Sequence, residues 1–176
     1  GIIFDRHQRD DGPRNRKEWQ WAGSGFEDKL LQDQGDFSLN AGQHSVTYLP
    51  NDETTATGRY QVLLYDNNFG AAESYPKFDR GQLGAAVVTD YNKGTHSFGL
   101  IFTVDETAHT YELEAQIAVP FSGYVSSAQR VGDSNSMLVA SGQAKTFTEY
   151  ERYGLPIATY EMEAEKYIYR VYKYEL

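Results

Sequence analysis

Cysteine is absent from all 176 residues, which excludes disulfides, thiol catalysis and thiolate metal sites. That absence fits an exported protein without covalent staples as well as a cytosolic one. Basic residues are scarce: 16 Lys and Arg stand against 25 Asp and Glu, for a formal net charge of −9. Such a chain lacks the clustered basic face that displaces counterions from a phosphate backbone, so no nucleic-acid partner is expected. The acidic surface serves solubility instead. Long apolar runs are missing too; none approaches the ~20 residues that cross a bilayer, and no membrane association is expected. Gly1-Ile2-Ile3-Phe4-Asp5 has none of the regions of a signal peptide. It reads as the middle of a strand, from which the chain is expected to begin inside a larger protein.

What is present favours β structure. The 40% apolar and 14% aromatic content suffices for one ordinary domain. With 16 Gly, 14 Tyr and few Ala-Leu-Glu runs, strands are expected over helices. Residues 1–41 form an irregular lead-in, a remnant of a preceding unit. Within it, residues 5–18 gather Asp5, Arg6, His7, Arg9, Asp10, Asp11, Arg14, Arg16, Lys17 and Glu18 around Gly12-Pro13, a solvated loop by composition. Trp19-Gln20-Trp21 alternates as a short strand does. Phe26, Leu30 and Leu31 suit a helical turn or two over 26–34, too short to stand alone.

From residue 42 the pattern becomes regular. Strands are predicted over 46–49, 61–65, 84–91, 98–105, 111–119, 124–131, 136–141, 145–150, 157–163 and 167–174, each bounded by Gly, Pro, Asn, Asp or Ser turns. The sharpest alternation, Tyr111-Glu112-Leu113-Glu114-Ala115-Gln116-Ile117-Ala118-Val119, predicts that the odd residues share one buried face. Four strands in the 40 residues from Tyr124 to Glu163 match the length of a propeller blade. The fold class expected is therefore all-β, with antiparallel four-stranded blades over 42–176. About two blades fit, and no propeller closes with two. Exposed edges would then need further N-terminal blades or a homo-oligomeric partner.

His44 is the candidate for chemistry, because imidazole is the side chain whose ordinary pKa lies near neutrality. On spacing alone the better reading is a strand-end histidine bonded to a backbone carbonyl. Its surroundings resemble a known family. Gln43-His44, a strand ending in Leu49-Pro50, a second apolar strand and then Tyr65-Asp66-Asn67-Asn68 are similar to the corresponding segment of bacterial PAPS-independent aryl-sulfate sulfotransferases, and the likeness extends to the C-terminus.

That resemblance implies a function and a set of residues. His44 would be the nucleophile that takes up a sulfuryl group from an aryl sulfate and passes it to a phenol, a ping-pong route needing neither nucleotide cofactor nor metal. Gln43 would flank the substrate. Ser126, or Ser127 one place on, stands where the family has a threonine hydroxyl; Ser keeps the donor. Arg6-His7-Gln8 is similar to an Arg-His-Gln triplet on the preceding blade, which would make Arg6 a sulfate clamp. Tyr169-Arg170 resembles a closing Tyr-Arg step in which the tyrosine walls the aryl pocket. The family's His-x-Asn pair occurs nowhere here, so the chain would hold only part of the charge-stabilising ring. Members of the family are exported, which implies a periplasmic or extracellular location.

Other residues carry weaker signals. Ser126, Ser127 and Tyr169 also read as ordinary strand residues, and Arg6 as part of a solvated loop. His96 and His109 sit in or beside turns and read as surface histidines. Asp66, Asn67 and Asn68 lack the glycine and distal glutamate of a calcium loop and read better as a strand-ending turn. The competing function is a non-catalytic β-propeller or β-sandwich module that binds a carbohydrate, peptide or protein through its tyrosine-rich surface.

Overall fold

The structure, a computed structural model, describes residues 3–4, 30–35, 37, 42–49, 58–69, 90, 93–132, 136–152 and 154–174. All regular elements among these are strands: β1 Ile3–Phe4, β2 Leu30–Gln34, β3 Gln43–Leu49, β4 Arg59–Asp66, β5 His96–Asp105, β6 Thr110–Pro120, β7 Ser127–Val131, β8 Ser136–Ser141, β9 Thr146–Tyr150 and β10 Pro156–Glu161. They form two sheets. In the first, β3, β4, β5 and β6 make a four-stranded antiparallel meander, extended beyond β6 by β2 and then β1, both parallel to their neighbours. The second is the antiparallel meander β7-β8-β9-β10. The fold is all-β, and each meander has the form of a propeller blade.

Chain pattern explains which strands lie deepest. β4 and β5 carry continuous apolar runs because they are covered on both faces. Leu63, Tyr65 and Ile101 point towards the second sheet and pack with Ala128, Met137, Val139 and Tyr150. Val62, Leu64, Leu100, Phe102 and Val104 point the other way and pack with Leu31, Tyr60 and Tyr111. Phe37 lies at 5.8 Å from Phe102 and 5.7 Å from Tyr111, ring centre to ring centre, the tilted and edge-on contacts that aromatic quadrupoles favour.

β6 corrects one expectation. Its odd residues are indeed the sheltered ones, but they do not share a face. Ile101 pairs with Ala115 while Phe102 pairs with Leu113, so Glu114 is an extra residue in β6, a β-bulge. One added residue in a period of two reverses the strand's faces. Tyr111 and Leu113 consequently join the core outside the sheet pair, whereas Ala115, Ile117 and Val119 join the core between the sheets.

Three further expectations change. The turn of helix expected over 26–34 is strand β2 from Leu30 on, where pairing with Thr110–Glu112 gives its main-chain groups partners that an isolated turn could not supply. The strand expected from Tyr124 starts only at Ser127, because Val125 (φ 57°) and Ser126 (φ 93°) are in left-handed conformations that break a ladder. Residues 167–174 run extended beside β7 but form no backbone ladder with it. The loop 5–18 with Arg6 and His7, the Trp19–Trp21 strand and the loop over 51–57 lie outside the described residues, as does the strand expected over 84–91 except for Asp90, which is in no strand.

Candidate functional site

The start of β3 is shaped by its backbone. Gly42 has φ 74°, and a Cβ there would come within 3.0 Å of the Phe69 carbonyl oxygen, so glycine alone suits the position. His44 pairs with Tyr65, but the next pair is Thr47 with Leu63: three residues on β3 are matched by two on β4. This bulge centres on Ser45, whose φ is 55°. It turns two successive side chains towards the second sheet. His44 goes against the Tyr65 ring, edge-on at 5.5 Å. Ser45 reaches β7, where its hydroxyl bonds the Ala128 carbonyl at 3.4 Å and accepts from the Ala128 N–H at 3.3 Å.

The imidazole of His44 is half partnered. The Val125 carbonyl and the Asn67 side chain act on it as hydrogen-bond partners. Its Nε2 is buried and has no hydrogen-bond partner among the described residues. Burial, and after it the Arg170 guanidinium, pull the His44 pKa below its ordinary value, more than those two partners restore. At neutral pH the ring is uncharged.

Below the ring lies a knot of hydroxyls. Ser97, Ser122, Ser126, Ser141 and Tyr65 are all buried to within 1% of full enclosure. Ser126 Oγ donates to Ser122 Oγ and accepts from Gly142 N–H, both at 2.9 Å. Ser122 Oγ donates to the Tyr124 carbonyl at 2.7 Å and accepts from Gln143 N–H at 3.0 Å. Ser97 Oγ bonds the Asn67 and Ser122 carbonyls and accepts from Ser122 N–H. The Tyr65 hydroxyl meets Ser141 Oγ at 3.2 Å. Burial raises the pKa of that phenol, while its serine neighbours oppose the rise. Asn67 Nδ2 ties the knot to the imidazole, donating to the Ser122 carbonyl and, at 3.2 Å, to the Val125 carbonyl.

Of the residues picked out by sequence, His44, Ser126 and Ser127 are brought together at the start of β7. The two serines differ from a simple substrate contact in that their hydroxyls are already occupied. Ser127 Oγ both donates to and accepts from the main chain of Val171, at 3.1 Å each. Either serine would reach a substrate only by releasing a bond. Gln43 is exposed opposite Asp66. Tyr169 has 63% of its surface exposed; its carbonyl, not its ring, meets the site by accepting from Ser126 N–H at 3.0 Å. Arg6 lies outside the described residues.

Sequence reasoning passed over Asn67, Tyr65, Val125 and Arg170. Asn67 stands inside the Tyr65-Asp66-Asn67-Asn68 segment, which was a signal; the Val125 carbonyl had none, since any residue could supply it. Asp66 and Asn68 do form a turn: Asp66 Oδ1 accepts from Asn68 N–H at 2.9 Å, and Asn68 Nδ2 donates to the His96 carbonyl at 3.2 Å. Among the described residues no three His, Asp or Glu side chains are placed to hold a metal ion. His96 and His109 are exposed.

Two blade-like meanders with one desolvated, half-partnered imidazole at their junction define a histidine-centred site on an all-β scaffold. The sequence model of Arylsulfotransferase (ASST) matches residues 15–172, most of the chain, and the chain belongs to that family. No curated protein and no solved structure matches it.

Proposed function

We propose that the chain moves a sulfuryl group from an aryl sulfate to a phenolic acceptor through a sulfonated His44, without nucleotide or metal. The family supports aryl sulfotransfer; the observation that carries the histidine route is the buried Nε2 with no partner on a ring that burial keeps uncharged. Its lone pair attacks sulfur, the sulfur–oxygen bond to the aryl group breaks, and the electron pair departs on the phenolate, which takes a proton from solvent. The Nδ1 hydrogen stays with the ring, so the intermediate is an N-sulfonated imidazolium. A phenol oxygen then attacks sulfur, its proton passing to solvent, and the nitrogen–sulfur electron pair returns to Nε2. Covalent transfer of this kind divides one difficult displacement into two easier ones.

Arg6, Gln43 and Tyr169 belong to this reading as outer contacts with the donor, and Ser126 as the residue that holds the 122–126 turn against the ring. Export follows from family likeness and is part of the same proposal. Further blades, or a second copy, would complete the donors around the sulfuryl oxygens.

Intact-mass analysis after incubation with p-nitrophenyl sulfate and no acceptor tests the reading. A gain of one sulfuryl group, mapped to His44, discharged by phenol and missing from His44→Phe, is the expected result. An adduct elsewhere, or none, overturns it and favours the binding module, for which the exposed Tyr167, Tyr169, Tyr172 and Tyr174 offer a surface.

A further inference from the structure

Residues 167–174 are attached to the second sheet by an unusual set of rungs. Ile168 N–H donates to the Gly142 carbonyl at 2.9 Å, and Ser126 N–H donates to the Tyr169 carbonyl at 3.0 Å. Val171 exchanges both main-chain groups with the Ser127 hydroxyl. Lys173 exchanges both with the side-chain amide of Gln129, at 2.8 Å each. The segment thus runs in the same direction as β7, with Tyr169 fixed at residue 126, one place from the carbonyl that engages His44. Arg170 follows directly.

Arg170 is an uncommitted cation. Its guanidinium carbon stands 5.0 Å from the centre of the Tyr169 ring, and Nη1 donates to the Tyr172 hydroxyl at 3.3 Å. No carboxylate among the described residues pairs with it. A guanidinium without a carboxylate, on a segment bonded to Ser126 one residue from the Val125 carbonyl, is suited to an aryl sulfate, for which it offers a planar fork for two oxygens.

We infer that Arg170 receives the sulfate ester, binding two of its non-bridging oxygens and turning the sulfur towards His44 Nε2. This rests on the transfer proposed above and names a contact for it that lies on the C-terminal segment. The Arg170 charge also acts on His44 directly, lowering its pKa and so keeping the ring a nucleophile. Bond making and breaking are those already written; Arg170 exchanges no proton.

Titration of the labelled chain with p-nitrobenzenesulfonate, an aryl sulfonate whose sulfur–carbon bond keeps it from transferring, followed at the His44 ring resonances, yields a Kd that does not depend on turnover. Arg170→Gln is expected to weaken it about 10- to 100-fold, the range of a charged hydrogen bond. Arg170→Lys should lose less, keeping charge without the fork, and Arg152→Gln should change nothing. Added guanidinium ion should restore part of the binding to Arg170→Ala, which a role confined to holding the segment would not allow. Equal Kd values for wild type and Arg170→Gln overturn the assignment, even where a sulfonated His44 forms. Binding that depends on Arg170 with no adduct sustains the assignment and removes the covalent route. An aryl sulfonate that leaves the His44 resonances unmoved overturns both.

Discussion

Two buried polar groups adjoin at the junction of the sheets and are built on opposite terms. In the serine knot, the hydroxyls of Ser97, Ser122, Ser126 and Ser141 all have partners. In the imidazole, Nε2 is buried with no partner among the described residues. Leaving a polar atom buried without a partner costs about 1–3 kcal/mol. Among the described side chains, Nε2 of His44 is the one buried polar atom the fold leaves unsatisfied, next to hydroxyls that are all satisfied. On the function proposed here the knot is scaffold, and the unpartnered nitrogen is where the sulfuryl group would bind.

The sharpest way to break the contrast is His44→Phe. It should abolish transfer and adduct formation while keeping or raising the thermal midpoint, since an unpartnered nitrogen is removed and the ring's volume retained. A large fall in the midpoint would make His44 a structural residue. Next in size is Gly142→Ala. An added Cβ would lie 2.0 Å from the Ile168 carbonyl oxygen, so the 167–174 segment must shift. Amide exchange at Ile168, Val171 and Lys173 should accelerate, and aryl-sulfonate affinity should fall as far as in Arg170→Gln. Unchanged exchange would show that the segment is held elsewhere.

Smaller is Tyr65→Phe, which keeps the edge-on contact with His44 and deletes the phenol from the knot. It should cost about 1–2 kcal/mol in chemical denaturation and leave transfer nearly intact. Smallest is a pH effect. The folded His44 pKa is depressed below 6.5, so between that depressed value and 6.5 the unfolded chain binds the extra proton. His44 therefore lowers stability as pH falls through this window, with no further change below it, and His44→Phe should flatten that part of the profile. The same sign applies to transfer: it should fade only below the depressed value, at a lower pH than an ordinary histidine would give.

Much of the architecture was legible because the period of apolar residues survives in the sequence. The strands from β3 to β10 fall within a few residues of their predicted places. β6 shows the limit: alternation is blind to an inserted residue, so Glu114 divides between two cores what seemed one face. Val125 and Ser126 show another, since left-handed conformations at a β-branched and a hydroxyl residue have no marker such as glycine. His44 was legible from its neighbours in the chain. The carbonyl at 125 and the guanidinium at 170 that act on it were not, because they come near it only through the packing of β3 on β7 and the docking of the last segment.

That docking has a consequence for how the protein could change over generations. A backbone ladder is written into the main chain and is altered only by refolding the strand. Here two of the rungs are the side chains of Ser127 and Gln129. Each can be exchanged by a single codon without disturbing β7. Variation could thus loosen or tighten the C-terminal segment one rung at a time, adjusting how long a bound molecule stays while the blade beneath it is inherited unchanged.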